Sequence, residues 1–400
     1  MLTTRSFRLA VVLLGLTGIA CSNAVDDGKA SEQQETSVQN ALEISVGKSS
    51  LSVEYASFYA PPAGVAGGKT VVFVGSPLEG KVNVLSRFSG QPVGELPPPE
   101  GGFILPFVLH STGSHRVTLL DAGGLPSPDP FYPANPTLYE YDYGWHAGQF
   151  SATLKKSISF QDATIGFAED FVKLADGRYV VSDAILGGIW TADPDGTVHP
   201  GIVPASDAPE DAIPEITICD SMPLIQVGGV PFLFAGATLP GVSPLEARFG
   251  KLYFYSPCAA GLYSVPLSVL SDNRAPYERA ADIQLVSPKP ANIEVEQLLA
   301  LTFDPRPNSP WVYAADSLQL QVIRINVLTG KREVVASDPT LFNFPSTMAF
   351  LPPVFGVSPL VVVSNQQHLL TLTNYAIDTD MPHLPFLATK VFIKQHPHFH

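Results

Sequence analysis

The stretch GFAEDFVKLADGRYVVSDAILGGIWTADPDGTVHPGIV, residues 166–203, contains four short apolar segments separated by turn residues. These segments are rich in Val, Ile, Phe and Tyr, which favours β-strands, and no helical spacing of apolar residues links them. Two of the separating segments, Ala175-Asp176-Gly177 and Asp193-Pro194-Asp195-Gly196, have the composition of tight turns. The stretch therefore predicts four consecutive antiparallel strands, at 166–174, 178–183, 187–192 and 197–203.

The two middle strands of this stretch belong to a sequence repeat that occurs six times along the chain. Each copy is an apolar strand that stops at a small or polar residue, then a connection, then a second apolar strand. The stops lie between 45 and 73 residues apart, at Ser76, Asp121, Asp183, Ser256, Asp316 and Asn365. The strands that follow the stops are predicted at 81–85, 137–141, 188–191, 261–265, 321–325 and 368–372. A second complete set of four strands is predicted at 298–303, 311–316, 321–326 and 333–336.

This repeat length accommodates about four short strands with their turns. The sequence therefore predicts an all-β fold, a six-bladed β-propeller of four-stranded antiparallel blades. Two alternatives stay open: a seventh blade within 205–245, and a pair of β-sandwiches, which does not account for the repeat. A propeller ring must close to avoid unpaired edge strands, so the β-rich segments 51–58 and 386–393 are expected to bring the chain ends together in one blade.

The composition excludes two classes of protein. Charged residues make up 15% of the chain and apolar residues 45%, so most of it is not intrinsically disordered. Acidic residues exceed basic ones by 37 to 23, which gives a formal net charge of −14. Because phosphate backbones repel such a surface, no nucleic-acid partner is expected.

The N-terminal segment 1–20 has the pattern of a secretory signal: Arg5 and Arg8, then the apolar run 9–16, then small residues. The small residues end at Cys21, and this junction resembles a bacterial lipobox, which implies that Cys21 is lipidated and becomes the mature N-terminus. An ordinary secretory signal is the alternative. The resemblance implies an exported protein that is held by its lipid at the bacterial outer membrane or cell surface.

The remainder of the chain divides into three parts by composition. Residues 21–45 are mostly small and polar and are expected to form a flexible tether. Residues 46–395 are expected to form the single propeller, and 396–400 is a His-containing tail that either binds Zn²⁺ or Cu²⁺ weakly or is simply a frayed terminus. Two further cysteines, Cys219 and Cys258, are expected to form a disulfide in an exported protein, with buried free thiols as the alternative.

The sequence repeat, most clearly over 165–204 and 298–351, resembles the six-bladed propellers of gluconolactonases, senescence marker proteins and strictosidine synthase-like proteins, and NHL repeats. That resemblance implies one divalent cation, such as Ca²⁺, at the mouth of the central channel, held by oxygen ligands at the starts of innermost strands. Here those starts fall at Ala168-Glu169-Asp170, near 299–301 and at Pro345-Ser346-Thr347. Only Glu169 or Asp170 could serve as a ligand of the cation, so the resemblance is not taken to predict lactonase activity for this chain. The alternative role for this pair is to cap a loop and face water.

Three acidic stops, Asp121, Asp183 and Asp316, are expected to be structural and to accept hydrogen bonds from the backbone of the following turn. No nucleophile elbow, zinc-protease motif or phosphate loop occurs in the sequence.

Binding residues are expected in the loops on the face where innermost strands begin. Pro-rich 123–136 presents Phe131 and Tyr132, and the acidic insertion 207–215 presents further candidates. The ligand-face candidates are Phe131, Tyr132, Asp211, Glu215 and Ser346. The sequence thus predicts a lipid-anchored cell-envelope binding or scaffolding module for a protein, peptide or carbohydrate ligand. A divergent metal-dependent lactone or ester hydrolase is the alternative.

Overall fold

The computed structural model describes most of the chain between Ser50 and Ile393. The described residues are 50–124, 135–184, 187–203, 224–227, 230–233, 244–256, 261–293, 296–366 and 385–393. The predicted signal peptide, the tether up to residue 45 and the His-containing tail lie outside them.

Six four-stranded antiparallel sheets form the blades, and each runs from an inner first strand to an outer fourth strand. Blade 1 consists of β2 (Ala63–Gly67), β3 (Val71–Ser76), β4 (Lys81–Ser86) and β5 (Pro92–Glu95). Blade 2 consists of β6 (Pro106–Gly113), β7 (Arg116–Asp121), β8 (Thr137–His146) and β9 (Gln149–Ser159). Blade 3 consists of β10 (Ala168–Lys173), β11 (Tyr179–Asp183), β12 (Gly188–Ala192) and β13 (Val198–Ile202).

The second half of the chain repeats the plan after a two-stranded hairpin, β14 (Leu224–Val227) and β15 (Val230–Leu233). Blade 4 consists of β16 (Leu245–Arg248), β17 (Lys251–Ser256), β18 (Gly261–Pro266) and β19 (Gln284–Pro288). Blade 5 consists of β20 (Leu298–Phe303), β21 (Trp311–Asp316), β22 (Gln321–Asn326) and β23 (Arg332–Ser337). Blade 6 consists of β24 (Pro345–Phe350), β25 (Leu360–Ser364), β26 (Phe386–Ile393) and β1 (Ser50–Phe58). Short 3-10 helices occur at Pro77–Glu79, Leu267–Ser271 and Glu278–Asp282.

The prediction of a six-bladed propeller is confirmed, because the first strands contact one another in the closed cyclic order β2, β6, β10, β16, β20, β24. The segment between blades 3 and 4 contributes the β14–β15 hairpin to the described residues and no seventh blade. Within the described part of the chain, no helix has the length and apolar character needed to cross a membrane.

The ring closes in blade 6, where the N-terminal strand β1 pairs with β26 from the C-terminal end of the chain. The register runs from Ser50 opposite Ile393 to Phe58 opposite Phe386. This confirms that the two terminal β-rich segments meet. The sequence predicts the third strand of blade 6 at 368–372, which lies outside the described residues. That prediction is wrong, because β26 occupies the third position.

The blades pack face to face, and a cluster of buried apolar side chains fills each of the six interfaces between neighbours. Second strands such as Val71–Ser76 are buried on both faces, because a neighbouring blade covers each face. The first strands therefore line a central channel. We call the face on which they begin the loop face, since it also carries the connections between second and third strands.

Candidate functional site

At the loop face, a β-bulge interrupts the pairing of the first and second strands in blades 1, 2, 3, 5 and 6. A bulge leaves a residue out of the ladder and changes the direction of its side chain. The bulged residues are Gly64, Phe107, Glu169, Asp170, Leu299, Ala300 and Ser346. These residues surround the mouth of the channel, and two of the seven carry a carboxyl group.

Gly64 shows why one bulge carries no side chain. Its φ is +58°, a left-handed conformation, and a Cβ at this position would run into the carbonyl oxygen of Phe107 in the next blade. Blades 1 and 2 approach each other closely at the mouth for this reason.

Asp170 connects three neighbouring first strands. Its Oδ1 lies 3.0 Å from Nε2 of His110 in β6 and accepts the backbone N–H of Phe171 at 2.8 Å. Its Oδ2 accepts the backbone N–H of Leu245, at the start of β16, at 2.8 Å. The side chain is buried, so these charge-assisted contacts are shielded from water. Asp170 therefore fixes blades 2, 3 and 4 relative to one another.

Glu169, the adjacent residue, differs from Asp170 in that one of its carboxyl oxygens has no hydrogen-bond partner among the described residues. Its side chain is also buried, with 6% of the residue exposed, and the oxygen without a partner is Oε2. Burial raises the pKa of this carboxyl well above its ordinary value, and the nearby charge of Asp170 raises it further. Neither carboxylate faces water, so the idea that the pair caps a solvated loop is wrong. The pKa of Glu169 is thus raised, and its Oε2 is left without a partner among the described residues.

Two further titratable side chains belong to this site, and neither is predicted from the sequence. His110 and Glu246 lie in the first strands of blades 2 and 4, and each is paired with the residue three positions before the end of its second strand. His110 packs edge-on against the ring of Phe171, with centroids 4.8 Å apart. The two side chains thus occupy the same level of the channel, on either side of blade 3.

The pKa values of these groups reflect burial and each other's charge. Burial raises the pKa of Glu246 to about 7, against the lowering effect of His110 and of the hydrogen bond from the Ala247 N–H. Burial lowers the pKa of His110, but its hydrogen bond with Asp170 and the charges of Asp170 and Glu246 outweigh this, so the net shift is upward. The site can therefore exchange protons near neutral pH.

The corresponding positions of the other first strands carry small or uncharged side chains. At the level of His110 and Glu246, register places Ala66, Val172, Thr302 and Ala349 in the other four blades. The first strands β2, β20 and β24 contain no charged residue. Glu169, Asp170, His110 and Glu246 thus all come from the first strands of blades 2 to 4, whereas the first strands of blades 5, 6 and 1 are uncharged.

Of the other predicted site residues, the structure describes Ser346. It lies in the bulge of blade 6, is partly exposed, and its hydroxyl donates to the carbonyl of Val363 at 3.2 Å. The remaining candidates lie outside the described residues: Cys21, Phe131, Tyr132, Asp211, Glu215, Cys219 and Cys258.

The acidic stops are structural: Asp121 accepts the N–H of Gly123 in the following segment at 3.0 Å, as predicted, and Asp121 and Asp183 also hold a second segment. Asp121 accepts the N–H groups of Ile104 and Leu105, at 2.8 and 2.7 Å, and Asp183 accepts those of residues 166 and 167. They hold the segment that enters the first strand, because that segment passes beside the end of the second strand. Asp316 follows the prediction, since it accepts the N–H of Gln319 in the following turn at 3.3 Å.

The described residues do not fit the cation implied by the resemblance. A Ca²⁺ ion needs six or more oxygen ligands, and no group of three or more His, Cys, Asp or Glu residues in the described part of the chain is arranged to hold a metal. Both oxygens of Asp170 are occupied by protein donors, and burial raises the pKa of Glu169. The positions at Leu299 and Ala300 offer no side-chain oxygen.

Comparison with known proteins gives similarity of structure and not of sequence. No protein-family model matches the chain, and no curated protein matches it. Among solved structures, a luciferin-regenerating enzyme has 12% identity and a TM-score of 0.52, over 86% of this chain and 95% of that one. Regucalcin from Agrobacterium tumefaciens, a calcium-binding protein, has 13% identity and a TM-score of 0.50, over 85% and 92%. A protein of unknown function from Bacteroides thetaiotaomicron has 12% identity and a TM-score of 0.52, over 85% and 75%. At these identities the similarity shows the fold: the chain is a six-bladed β-propeller with structural neighbours that include regucalcin.

Proposed function

We propose that this chain is an exported, lipid-anchored propeller that binds a protein, peptide or carbohydrate ligand of the cell envelope at its loop face and channel mouth. The observation that carries the proposal is the state of the two mouth carboxyls. Asp170 is committed to joining three blades, and Glu169 is buried, which raises its pKa and disfavours the charged form that a cation would need. Such a mouth is suited to recognition and not to activating water on a divalent cation.

Chain connectivity supports the choice of the loop face. The segments 125–134 and 204–223, which carry the candidate residues Phe131, Tyr132, Asp211 and Glu215, join strands that end on that face. Connecting segments on a rigid scaffold are common places for binding residues. The anchoring part of the proposal rests on the lipobox-like junction at Cys21.

Hydrolysis of lactones or esters is the second candidate. The observation in its favour is His110, a partly exposed imidazole that is oriented by the carboxylate of Asp170. A histidine held in this way is a suitable general base.

One pair of measurements tests the choice between binding and hydrolysis. The purified mature chain is applied to arrays of envelope glycans and peptides, and the same preparation is assayed on lactones and nitrophenyl esters with and without EDTA. We expect saturable binding on an array and no turnover. Hydrolysis that is lost on adding EDTA would support the metal-dependent enzyme instead, and EDTA-resistant hydrolysis that is lost in His110→Ala would support a metal-free one.

The anchor is tested separately by detergent phase partitioning of the full chain expressed in a bacterium. Wild type is expected in the detergent phase and Cys21→Ser in the aqueous phase or as unprocessed precursor. Cys258→Ser is the matched control and should partition like wild type. Partitioning of Cys21→Ser into detergent at the wild-type level would refute lipidation.

A further inference from the structure

The face of the propeller opposite the loop face carries the turns that join first to second strands and third to fourth strands, and we call it the turn face. In blades 6, 1 and 2, its described turns are 351–359, 68–70, 87–91, 114–115 and 147–148. These turns contain no Asp or Glu, and they carry Lys69, Arg87 and His115. The turns of blades 3 and 4 instead contain Asp176, Asp193, Asp195, Asp272, Glu278 and Asp282. One side of the turn face therefore lacks the acidic residues that outnumber basic ones in the whole chain by 37 to 23.

Hydrogen bonds join the turns of blades 6, 1 and 2 into one surface. The Arg87 guanidinium donates to the carbonyl oxygen of Lys69 at 3.3 Å and also to that of Pro352, so it links the turns of blade 1 to the turn of blade 6. The Trp145 indole N–H donates to the Thr70 hydroxyl at 2.9 Å and links blade 2 to blade 1. Side chains on these turns are therefore neighbours on one side of the molecule.

Three large apolar side chains are exposed on this surface. Phe355 is fully exposed, Phe88 is 70% exposed and Trp145 is 47% exposed. We call the surface formed by 68–70, 87–91, 145–149 and 351–359 the aromatic patch. Single exposed apolar residues are ordinary, but three on turns that contact one another indicate an interaction surface.

The backbone of Phe355 is an independent observation that indicates a role in binding. Val354 and Val357 exchange two backbone hydrogen bonds of 3.0 Å, and φ is +51° at Phe355 and +78° at Gly356 between them. The first position of such a two-residue turn favours Asn or Asp, because a bulky side chain is strained at positive φ. Phe355 therefore lowers the stability of its turn and, being fully exposed, gains no burial in return. A partner outside the fold accounts for a phenylalanine at this position.

The chain that precedes the fold enters it beside the aromatic patch. β1 begins at Ser50 on the turn face of blade 6, the neighbour of blade 1. Within β1, the Tyr55 hydroxyl donates to the carbonyl of Ser86, directly before the turn 87–91, at 2.6 Å. The 29 residues from Cys21 to residue 49 allow at most about 100 Å between a lipid on Cys21 and the fold. A lipid anchor would thus hold a bilayer close to the turn face at blades 6 and 1.

We propose that the aromatic patch lies against the lipid bilayer that holds the Cys21 lipid, with Phe355, Phe88 and Trp145 at the level of the headgroups. The proposal rests on the proposed function, since it gives the anchored propeller an orientation. Aromatic side chains favour this level of a bilayer, where one part is apolar and another meets polar groups. Because the tether already keeps the bilayer near, weak contacts are sufficient to orient the propeller.

Charge favours the same orientation. Exposed Lys69 lies in the aromatic patch, where it attracts anionic headgroups, and the patch contains no carboxylate to repel them. The acidic turns of blades 3 and 4 are repelled by those headgroups, so the propeller tilts toward blades 6, 1 and 2. The loop face then points away from the membrane and is open to its ligand.

The test tethers the chain independently of its own lipid. The mature chain with Cys21→Ser and an N-terminal decahistidine tag is bound to vesicles of phosphatidylcholine and phosphatidylglycerol that contain a nickel-chelating lipid. Tryptophan fluorescence is compared between vesicles with brominated and ordinary acyl chains, because bromine quenches indoles that enter the bilayer surface. We expect quenching in wild type and its loss in Trp145→Phe, since Trp190 and Trp311 pack against the cores between blades.

Two variants separate binding from folding. Asn suits the left-handed first position of the turn, so Phe355→Asn should raise the Tm and yet lower the ratio of membrane-bound to free patch, read from the quenched fraction, by about fivefold. Phe88→Ser should lower that ratio by about the same factor. Ile104→Ser removes an exposed apolar side chain from the loop face and is the matched control, which should be quenched like wild type. Circular dichroism confirms that each variant is folded, and Phe88→Ser decides if Phe355→Asn does not fold.

Several outcomes would overturn the proposal. They are no quenching in the tethered wild type, quenching that persists in Trp145→Phe, and quenching that both Phe variants leave unchanged. A dimer in sedimentation velocity that dissociates in Phe355→Asn would assign the patch to a second copy of the chain. Tethered wild type without quenching would leave the anchor and ligand binding at the loop face standing. Detergent partitioning of Cys21→Ser at the wild-type level would refute the anchor, whatever the quenching shows.

Discussion

Adjacent carboxyls at 169 and 170 should respond in opposite ways to removal. Asp170→Ala deletes an acceptor that serves His110 and the backbone N–H groups of Phe171 and Leu245, and it leaves those donors buried. Each hydrogen bond to a charged group contributes about 1.5–3 kcal/mol, and breaking a buried charged contact costs about 3–5 kcal/mol in practice. We therefore expect the free energy of unfolding to fall by about 3–5 kcal/mol.

Glu169→Gln replaces a carboxyl whose pKa is raised by burial and whose Oε2 has no partner among the described residues, so it should leave stability unchanged or raise it slightly. Because the unfolding entropy is roughly 2 cal/mol/K per residue, a domain of this length should lose about 1.4 °C in Tm for each kcal/mol. Asp170→Ala should then melt about 4–7 °C below wild type by differential scanning calorimetry.

The double variant provides the control, since the two effects are expected to add if the side chains act independently. Two results would refute this reasoning. One is an Asp170→Ala protein that melts within a degree of wild type, and the other is a Glu169→Gln protein that is as unstable as Asp170→Ala.

Three further predictions concern the ring and its connections. Phe58→Ala in the closing strand β1 should lower the free energy of unfolding, measured by urea titration, by about 3–5 kcal/mol, because Phe58 packs between blades 6 and 1. Tyr59→Ala, at the exposed next position, is the control and should change it by less than about 0.5 kcal/mol. Burial raises the pKa of the Asp316 carboxyl to about 7. The contribution of Asp316 to the free energy of unfolding is therefore present below pH 4 and is lost as the pH rises through 7. Asp316→Asn should melt above wild type at pH 8, and the difference in Tm should close toward pH 4. If Cys219 and Cys258 form a disulfide, replacing both by Ser should cost roughly 3–4 kcal/mol, and free alkylation of both thiols in the native protein would show that no bridge exists.

The strands of most blades could be predicted from the sequence because each is defined locally. In 166–203, apolar runs and turn residues alternate so regularly that all four strands of blade 3 were placed within about two residues of their observed bounds. The third strand of blade 6 was different. Both 368–372 and 386–393 have β-strand composition, and what selects the latter is its pairing with β1, more than 300 residues away in the chain.

The candidate site was only half predictable for a related reason. Glu169 and Asp170 stand next to each other in a recognisable strand start, so the sequence pointed to them. His110 and Glu246 each stand alone in a strand and resemble ordinary surface residues. Their shared distance from the end of the second strand was the available signal, and it becomes meaningful only once the blades are known to form a ring.

Closure by the N-terminal strand has a mechanical consequence. β1 begins at Ser50 on the face opposite the loop face and runs antiparallel to β26 for its whole length. Tension applied to the chain before Ser50, while the loop face is held by a bound partner, would act along the strand axis. The hydrogen bonds between β1 and β26 would then be sheared together and not opened one after another. The Tyr55 hydroxyl, which donates to the Ser86 carbonyl at 2.6 Å, and Lys390, which lies over the Tyr55 ring, add sideways attachments to the same strand. If the chain is anchored through Cys21 as proposed, the ring is thus fastened in shear at the point where the anchor would pull on it.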